Sequence, residues 1–216
     1  GLARAARLLR GRVFGREPHG AAHEPPRVED LDARRVDAAA GAPFLGDEEL
    51  AVVLRQVQTG ENAPLTTSCG RLFDAVAALA GVRGAITYEG QAAIELEMMS
   101  WAGAEPYPFA IDEKAALPST PGGAGDAPAD DAGSMPVAVV RLAPLLGAVM
   151  DDAEAGREPG FIGSRLHATV AALTLELCRR VRAATGISVA ALTGGVFQNR
   201  LLTDLCEAAL EKDGFE

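Results

Sequence analysis

The chain has 216 residues, 48% of them apolar and 23% charged, a balance that can bury a core and is unlike that of a disordered or fibrous polymer. Twenty Lys and Arg against 30 Asp and Glu give a formal charge of −10, the wrong sign for a broad phosphate-binding surface, which argues against nucleic acid as a principal partner. No run reaches the roughly 18 to 20 apolar residues of a membrane span.

Residues 2 to 10 mix Ala, Leu and Arg and favour helix, but GREPHGAAHEPP follows with three prolines and reads as a loop. The basic opening has no apolar core and no initiator Met, so a fragment fits it better than a signal peptide. Asp47 is placed to cap a helix over 48–58, where Leu50, Val53, Leu54 and Val57 recur at helical spacing before Gly60; that helix is expected to face a core. Leu72, Phe73, Val76, Leu79 and Ala80 make a second stripe between TTSCG and Gly81. Residues 85–88 suit a short strand, and QAAIELEMMSW is rich in helix formers.

From 117 to 136 the chain is Gly, Ala, Asp and Pro with little to bury, a mobile linker by composition. VAVV then resembles a buried strand, and 141–155 an apolar helix with Pro144 near its start. Leu166, Val170, Leu173, Leu177 and Val181 define a long helix over 165–184, stopped by Gly186. ISVAA with Leu192 reads as an interior parallel strand, followed by Gly194 and Gly195 and a helix to about 211.

Two stretches could carry chemistry. In LTGGVFQNR, the Gly194/Gly195 pair lets backbone amides approach a ligand, with Asn199 near the next helix start; a turn needing glycine only for its dihedrals explains the pair equally well. In SCGRLFDAVAALAG, Gly70 permits close approach and Asp74 could accept hydrogen bonds from paired sugar hydroxyls, or merely complement a helix dipole. The pair His19 and His23 has metal-like spacing, but its proline-broken setting offers no third ligand and makes both loop histidines. Cys69 has no His placed to activate it, while Cys178 and Cys206 sit among apolar helix neighbours; with no C-x-x-C pair, all three fit a reducing, cytoplasmic setting. Glu95 and Glu97 lie on different helix faces, at least one of them solvated, and Asp151/Asp152 read as surface charge.

The ordered set TSCGRLFDAVAAL, YEGQAAIELE and LTGGVFQNRLL resembles the carboxy-terminal part of the HypF family, carbamoyltransferases of nickel-iron hydrogenase maturation. The match is dense over 63–98 and 167–210. It divides the chain into a loosely matched helical segment 1–60, a Kae1-like region 61–116, the linker 117–136 and a second Kae1-like region 137–216. The resemblance implies an α/β domain of the acetate kinase/Hsp70/actin type, here partial, helix-rich and interrupted by the disordered linker. It implies that ATP and carbamoyl phosphate yield carbamoyl adenylate, and that the carbamoyl group passes to a C-terminal cysteine of the partner HypE. Carried over by motif, Asp74, Gly194, Gly195 and Asn199 would bind the nucleotide, while Gly70, Gly90, Gln91 and His167 are candidates for substrate contact. YEGQ stands where related tRNA enzymes have YPGG, so the place of Gln91 is less secure. The family's divalent metal would take its ligands from a His pair and an Asp that have no counterpart in these 216 residues.

Two rivals remain. A tRNA threonylcarbamoyl transferase shares the fold but must dock a polyanion, which the charge of −10 disfavours. An inactive fragment or protein-interaction module would equally explain the missing metal ligands.

Overall fold

The computed structural model describes residues 46–63, 66–112 and 138–216. The helix expected over 2–10, the histidine loop and the linker 117–136 lie outside these residues. The chain divides into two compact units, Gly1–Thr67 with Ala110–Ala143, and Ser68–Phe109 with Pro144–Glu216.

In the first unit, α1 spans Asp47–Thr59 and ends at Gly60, whose φ of 71° suits glycine. Its N-cap is Gly46 rather than Asp47: the Gly46 amide donates to the Glu49 carboxylate (3.1 Å), so the cap comes from three residues downstream. Val52 and Val53 are exposed on the outer turn, against the core-facing expectation for Val53. Two short strands, β1 (Ala110–Asp112) and β2 (Val139–Arg141), pair antiparallel with Ile111 opposite Val140. Arg141 belongs to this strand and not to the helix after it, and its guanidinium meets Asp112 across the pair. With only two strands, β2 is half-buried instead of buried.

The second unit is helical. Helix α2 (Cys69–Leu79) opens at Ser68, whose hydroxyl accepts from the Arg71 amide, and buries Phe73, Val76 and Ala77, as its stripe predicts. Residues 85–88 form no strand. A strand needs a neighbour, and here the Thr87 amide and hydroxyl both donate to the Gln91 side-chain oxygen (2.7 and 3.1 Å), making the segment a turn into α3 (Gln91–Met99). Helix α4 (Ala143–Glu154) follows, then α5 (Pro159–Thr185), which begins six residues before the expected start because Pro159 at its first turn fixes a helical φ. Its amino-terminal half is buried and its last turns are largely exposed. Gly186 ends it in the left-handed region.

The segment 187–192 is no interior strand: Ile187 and Val189 are 55% and 67% exposed, the Ile187 amide donates to the Thr185 hydroxyl (3.2 Å), and the backbone pairs with Glu216 through Ala190 (2.8 Å) and Ser188 (2.9 Å). A 3-10 turn, Gly195–Gln198, precedes α6 (Arg200–Lys212), which buries Leu202, Cys206 and Leu210. Arg179 and Arg182 of α5 clasp Asp213 after α6, and the two guanidiniums hold its carboxyl at about 2. Arg182 also covers the Phe215 ring at 4.1 Å.

Two buried arrangements went unread in the sequence. Asp152 is not free surface charge: it accepts from Tyr107 and from Arg165, both at 2.8 Å, and Arg165 stacks 4.0 Å over the Tyr107 ring. Helix α5 meets the end of α3 through Gly160 and Gly163, where added β-carbons would lie 2.3 Å from the Met99 carbonyl oxygen and 2.2 Å from the Ser100 hydroxyl. The same contact lets the Trp101 amide donate to Ser164 (2.8 Å).

Two outcomes follow from this packing. Gly163→Ala lowers stability by about 1–3 kcal/mol in thermal or chemical denaturation, through overpacking against Ser100 and Leu96; an unchanged midpoint would show that the helices separate without cost. Because the Asp213 carboxyl titrates lower in the fold than in the unfolded chain, its contribution is present above about pH 4 and fades as pH falls through about 2. Wild type therefore exceeds Asp213→Asn in stability at neutral pH, and the two converge in acid.

Candidate functional site

Within the second unit, α2, the 88–90 turn, α3 and the diglycine turn enclose a hollow of ≈ 800 Å³. Asp74 stands on one wall and Gly195 and Asn199 on another, so the two motifs that the sequence singles out meet around one space. Gly70 and Gly90 also line it. Gly194, Gln91 and His167 do not.

Asp74 reaches the hollow because it lies one turn into α2, on the side away from the Phe73 and Val76 core. Its Oδ2 accepts from Arg71 (3.0 Å), whose other guanidinium nitrogen lies 3.9 Å from Glu89 on the facing turn. Its Oδ1 is buried and has no hydrogen-bond partner. A buried carboxylate oxygen without a donor is costly, and a ligand hydroxyl would remove the deficit.

The two glycines of the turn differ in kind. Gly194 has φ 98° and ψ 166°, a conformation that a side chain rarely tolerates, so the backbone alone demands glycine there. Gly195 has no such φ, and a β-carbon added to it would meet nothing within 4 Å. The fold does not require Gly195 to be bare, and its bareness leaves room in the hollow.

The start of α6 is already filled by the protein itself. Glu97 of α3 accepts from the amides of Arg200 (2.6 Å) and Leu201 (3.2 Å), and the Asn199 oxygen accepts from Leu202 (2.8 Å). Neither Glu95 nor Glu97 is left to solvent: Glu95 takes two bonds from Arg83 (2.7 and 2.6 Å) and one from Gln91 (2.9 Å), and the Arg83 bonds hold its carboxyl below the usual range. Gln91 thus serves as a bridge between the 87 turn and Glu95, buried away from the hollow.

His167 lies behind the wall, fully buried on α5. Its Nδ1 is 2.6 Å from the Gly163 carbonyl, so that nitrogen carries the proton, and Nε2 accepts from the Asn199 amide at 2.8 Å. The Phe73 ring meets it edge-on at 5.0 Å. Burial is the largest influence on the imidazole and lowers its pKa, favouring the neutral ring that this pattern requires. Cys69 borders the hollow, but burial pushes its thiol up, as it does for Cys178 and Cys206; a thiol held protonated makes a poor nucleophile.

Among the described residues there is no cluster of three or more His, Cys, Asp or Glu able to hold a metal, and no helix long and apolar enough to cross a membrane. Of the carboxylates lining the hollow, Asp74 gives its Oδ2 to Arg71, Glu97 serves the α6 amides, and Glu89 is 92% exposed on the facing turn, so the described donors do not converge on a divalent cation.

Residues 18–216 match the family described as carbamoyltransferase, Kae1-like domain, second subdomain. The chain is 35% identical over 186 residues to carbamoyltransferase HypF of Rhodobacter capsulatus, covering 83% of this chain and 21% of that protein. It is 32% identical over 164 residues to carbamoyltransferase HypF of Synechocystis sp., covering 75% and 18%. Among solved structures, a full-length HypF in the phosphate- and nucleotide-bound form superposes with a TM-score of 0.66 at 33% identity, over 81% of this chain and 20% of that one. The chain thus spans about a fifth of the length of the curated relatives it matches. With a family match over residues 18–216 and these relatives at 32–35% identity, the chain belongs to the HypF carbamoyltransferase family and has its Kae1-like, helix-rich domain type.

Proposed function

We propose that this chain is the part of a longer carbamoyltransferase that holds carbamoyl adenylate, made from carbamoyl phosphate and ATP, while its carbamoyl group passes to the C-terminal cysteine of a HypE-type acceptor. The reading is carried by one observation: Asp74, with a buried oxygen lacking a donor, and Gly195, bare without a backbone reason, border the same hollow. A ribose offers two adjacent hydroxyl donors to such a carboxylate. The first amides of the 3-10 turn lack intrahelical acceptors and suit the phosphate end. Asn199 lines the hollow and keeps one amide hydrogen for the nucleotide after serving His167. Gly70 and Gly90 leave space for the approach of the acceptor.

In the transfer step the acceptor thiolate attacks the carbamoyl carbon, the bond from that carbon to the phosphate oxygen breaks, and AMP leaves with the electron pair. The contribution of these residues is to hold ribose and phosphate so that the carbon meets the thiolate in line. Lining charges of three carboxylates, Asp74, Glu89 and Glu97, against the single guanidinium of Arg71 favour hydroxyls over a polyanion such as tRNA.

Calorimetric titration of the full-length enzyme with a nonhydrolysable carbamoyl-adenylate mimic tests the reading. Asp74→Ala weakens binding by about tenfold or more. Gly195→Ala also weakens it, with an unchanged melting temperature. Wild-type affinity in both variants would remove the hollow as the nucleotide site.

A further inference from the structure

We propose that His167 is a positioning residue for the diglycine turn, holding Asn199 from behind so that the turn stays open towards Asp74. The geometry has three links. His167 sits on α5, whose path against α3 is set by the close contact at Gly163, and the Gly163 carbonyl accepts the Nδ1 proton at 2.6 Å. That bond fixes Nε2 as an acceptor. Nε2 in turn takes the Asn199 amide at 2.8 Å, which fixes which end of Asn199 faces the Leu202 amide (2.8 Å) and thus where α6 begins and the 3-10 turn ends. The ring does not line the hollow, whereas its neighbours Phe73 and Asn199 do.

Because acceptor and donor must match, the link depends on charge. A proton on Nε2 would point a donor at the Asn199 amide, which is also a donor, and one of them would have to turn. The groups facing the imidazole are the Phe73 ring from α2, Asn199 from the start of α6, the Gly163 carbonyl of its own helix, and Glu97 of α3, whose negative charge favours the protonated ring and partly opposes burial. Burial dominates, so the link breaks only below the usual imidazole value of about 6.5.

The inference adds to the nucleotide reading, and the test separates the two. In the full-length enzyme, hydrogen exchange of the peptide spanning 194–199 is compared among wild type, His167→Phe and His167→Gln, alongside affinity for the nonhydrolysable carbamoyl-adenylate mimic measured from pH 5 to pH 8 where circular dichroism shows each protein folded. Phe keeps the volume but offers no acceptor, and Gln can place an amide oxygen where Nε2 stood. The expected result is faster exchange and about tenfold weaker binding of the mimic in the Phe variant, with both restored by Gln. Wild-type affinity falls on the acid side, and that fall is absent in the Gln variant. Unchanged exchange in His167→Phe, or an acid fall that persists in His167→Gln, overturns the positioning role. Faster exchange in the Phe variant with no binding of the mimic by wild type supports that role and discards the nucleotide reading instead.

Discussion

Three helices are joined by polar atoms at the start of α6. From α3, Glu97 takes the amides of Arg200 and Leu201; from α5, His167 takes the amide of Asn199; and Asn199 itself caps Leu202. Each bond satisfies a group that would otherwise be left without a partner beside the core, so the arrangement is difficult to change piecemeal. Its consequence for function is subtractive. With the helix end occupied from within, the groups left over are the bare turn at Gly195 and the donor-hungry oxygen of Asp74, and these two define what the hollow can accept.

The frame behind that junction is set by steric closeness. Gly160 and Gly163 bring α5 so near the end of α3 that backbone and Ser100 hydroxyl occupy the space of a side chain. That closeness puts the Gly163 carbonyl and the His167 ring in the depth of the unit, with Ser164 taking the Trp101 amide alongside. Packing of α5 and orientation of Asn199 are therefore consecutive links of one chain of contacts.

Local features were legible in the sequence. Gly186 and the stripes of α2 and α5 specify their helices, although α5 starts six residues early at Pro159, because caps and periodicity act over one or two turns. Strands were not, since a strand exists only by virtue of its neighbour: ISVAA has the composition of an interior strand, yet Ser188 and Ala190 pair with the single residue Glu216 and its Ile187 and Val189 stay exposed. Long-range pairs were equally invisible. Nothing near Asp152 in the sequence announces Tyr107 or Arg165, and nothing near Glu97 announces Arg200, so both carboxylates read as surface charge or solvated face until the fold brings their donors. For the site, geometry sorts the members of the motifs. Asp74, Gly195 and Asn199 border the hollow, while Gln91 and His167 turn inwards to hold the walls. The family match covers a domain amounting to about a fifth of the relatives' length.

The central claim is that Asp74 and the diglycine turn grip opposite ends of one nucleotide. A structure of the full-length enzyme bound to a nonhydrolysable carbamoyl-adenylate mimic tests it most directly. The account predicts a sugar hydroxyl within hydrogen-bonding distance of the Asp74 Oδ1 and the ligand in van der Waals contact with Gly195; a nucleotide bound elsewhere, with this hollow left to solvent, would contradict it.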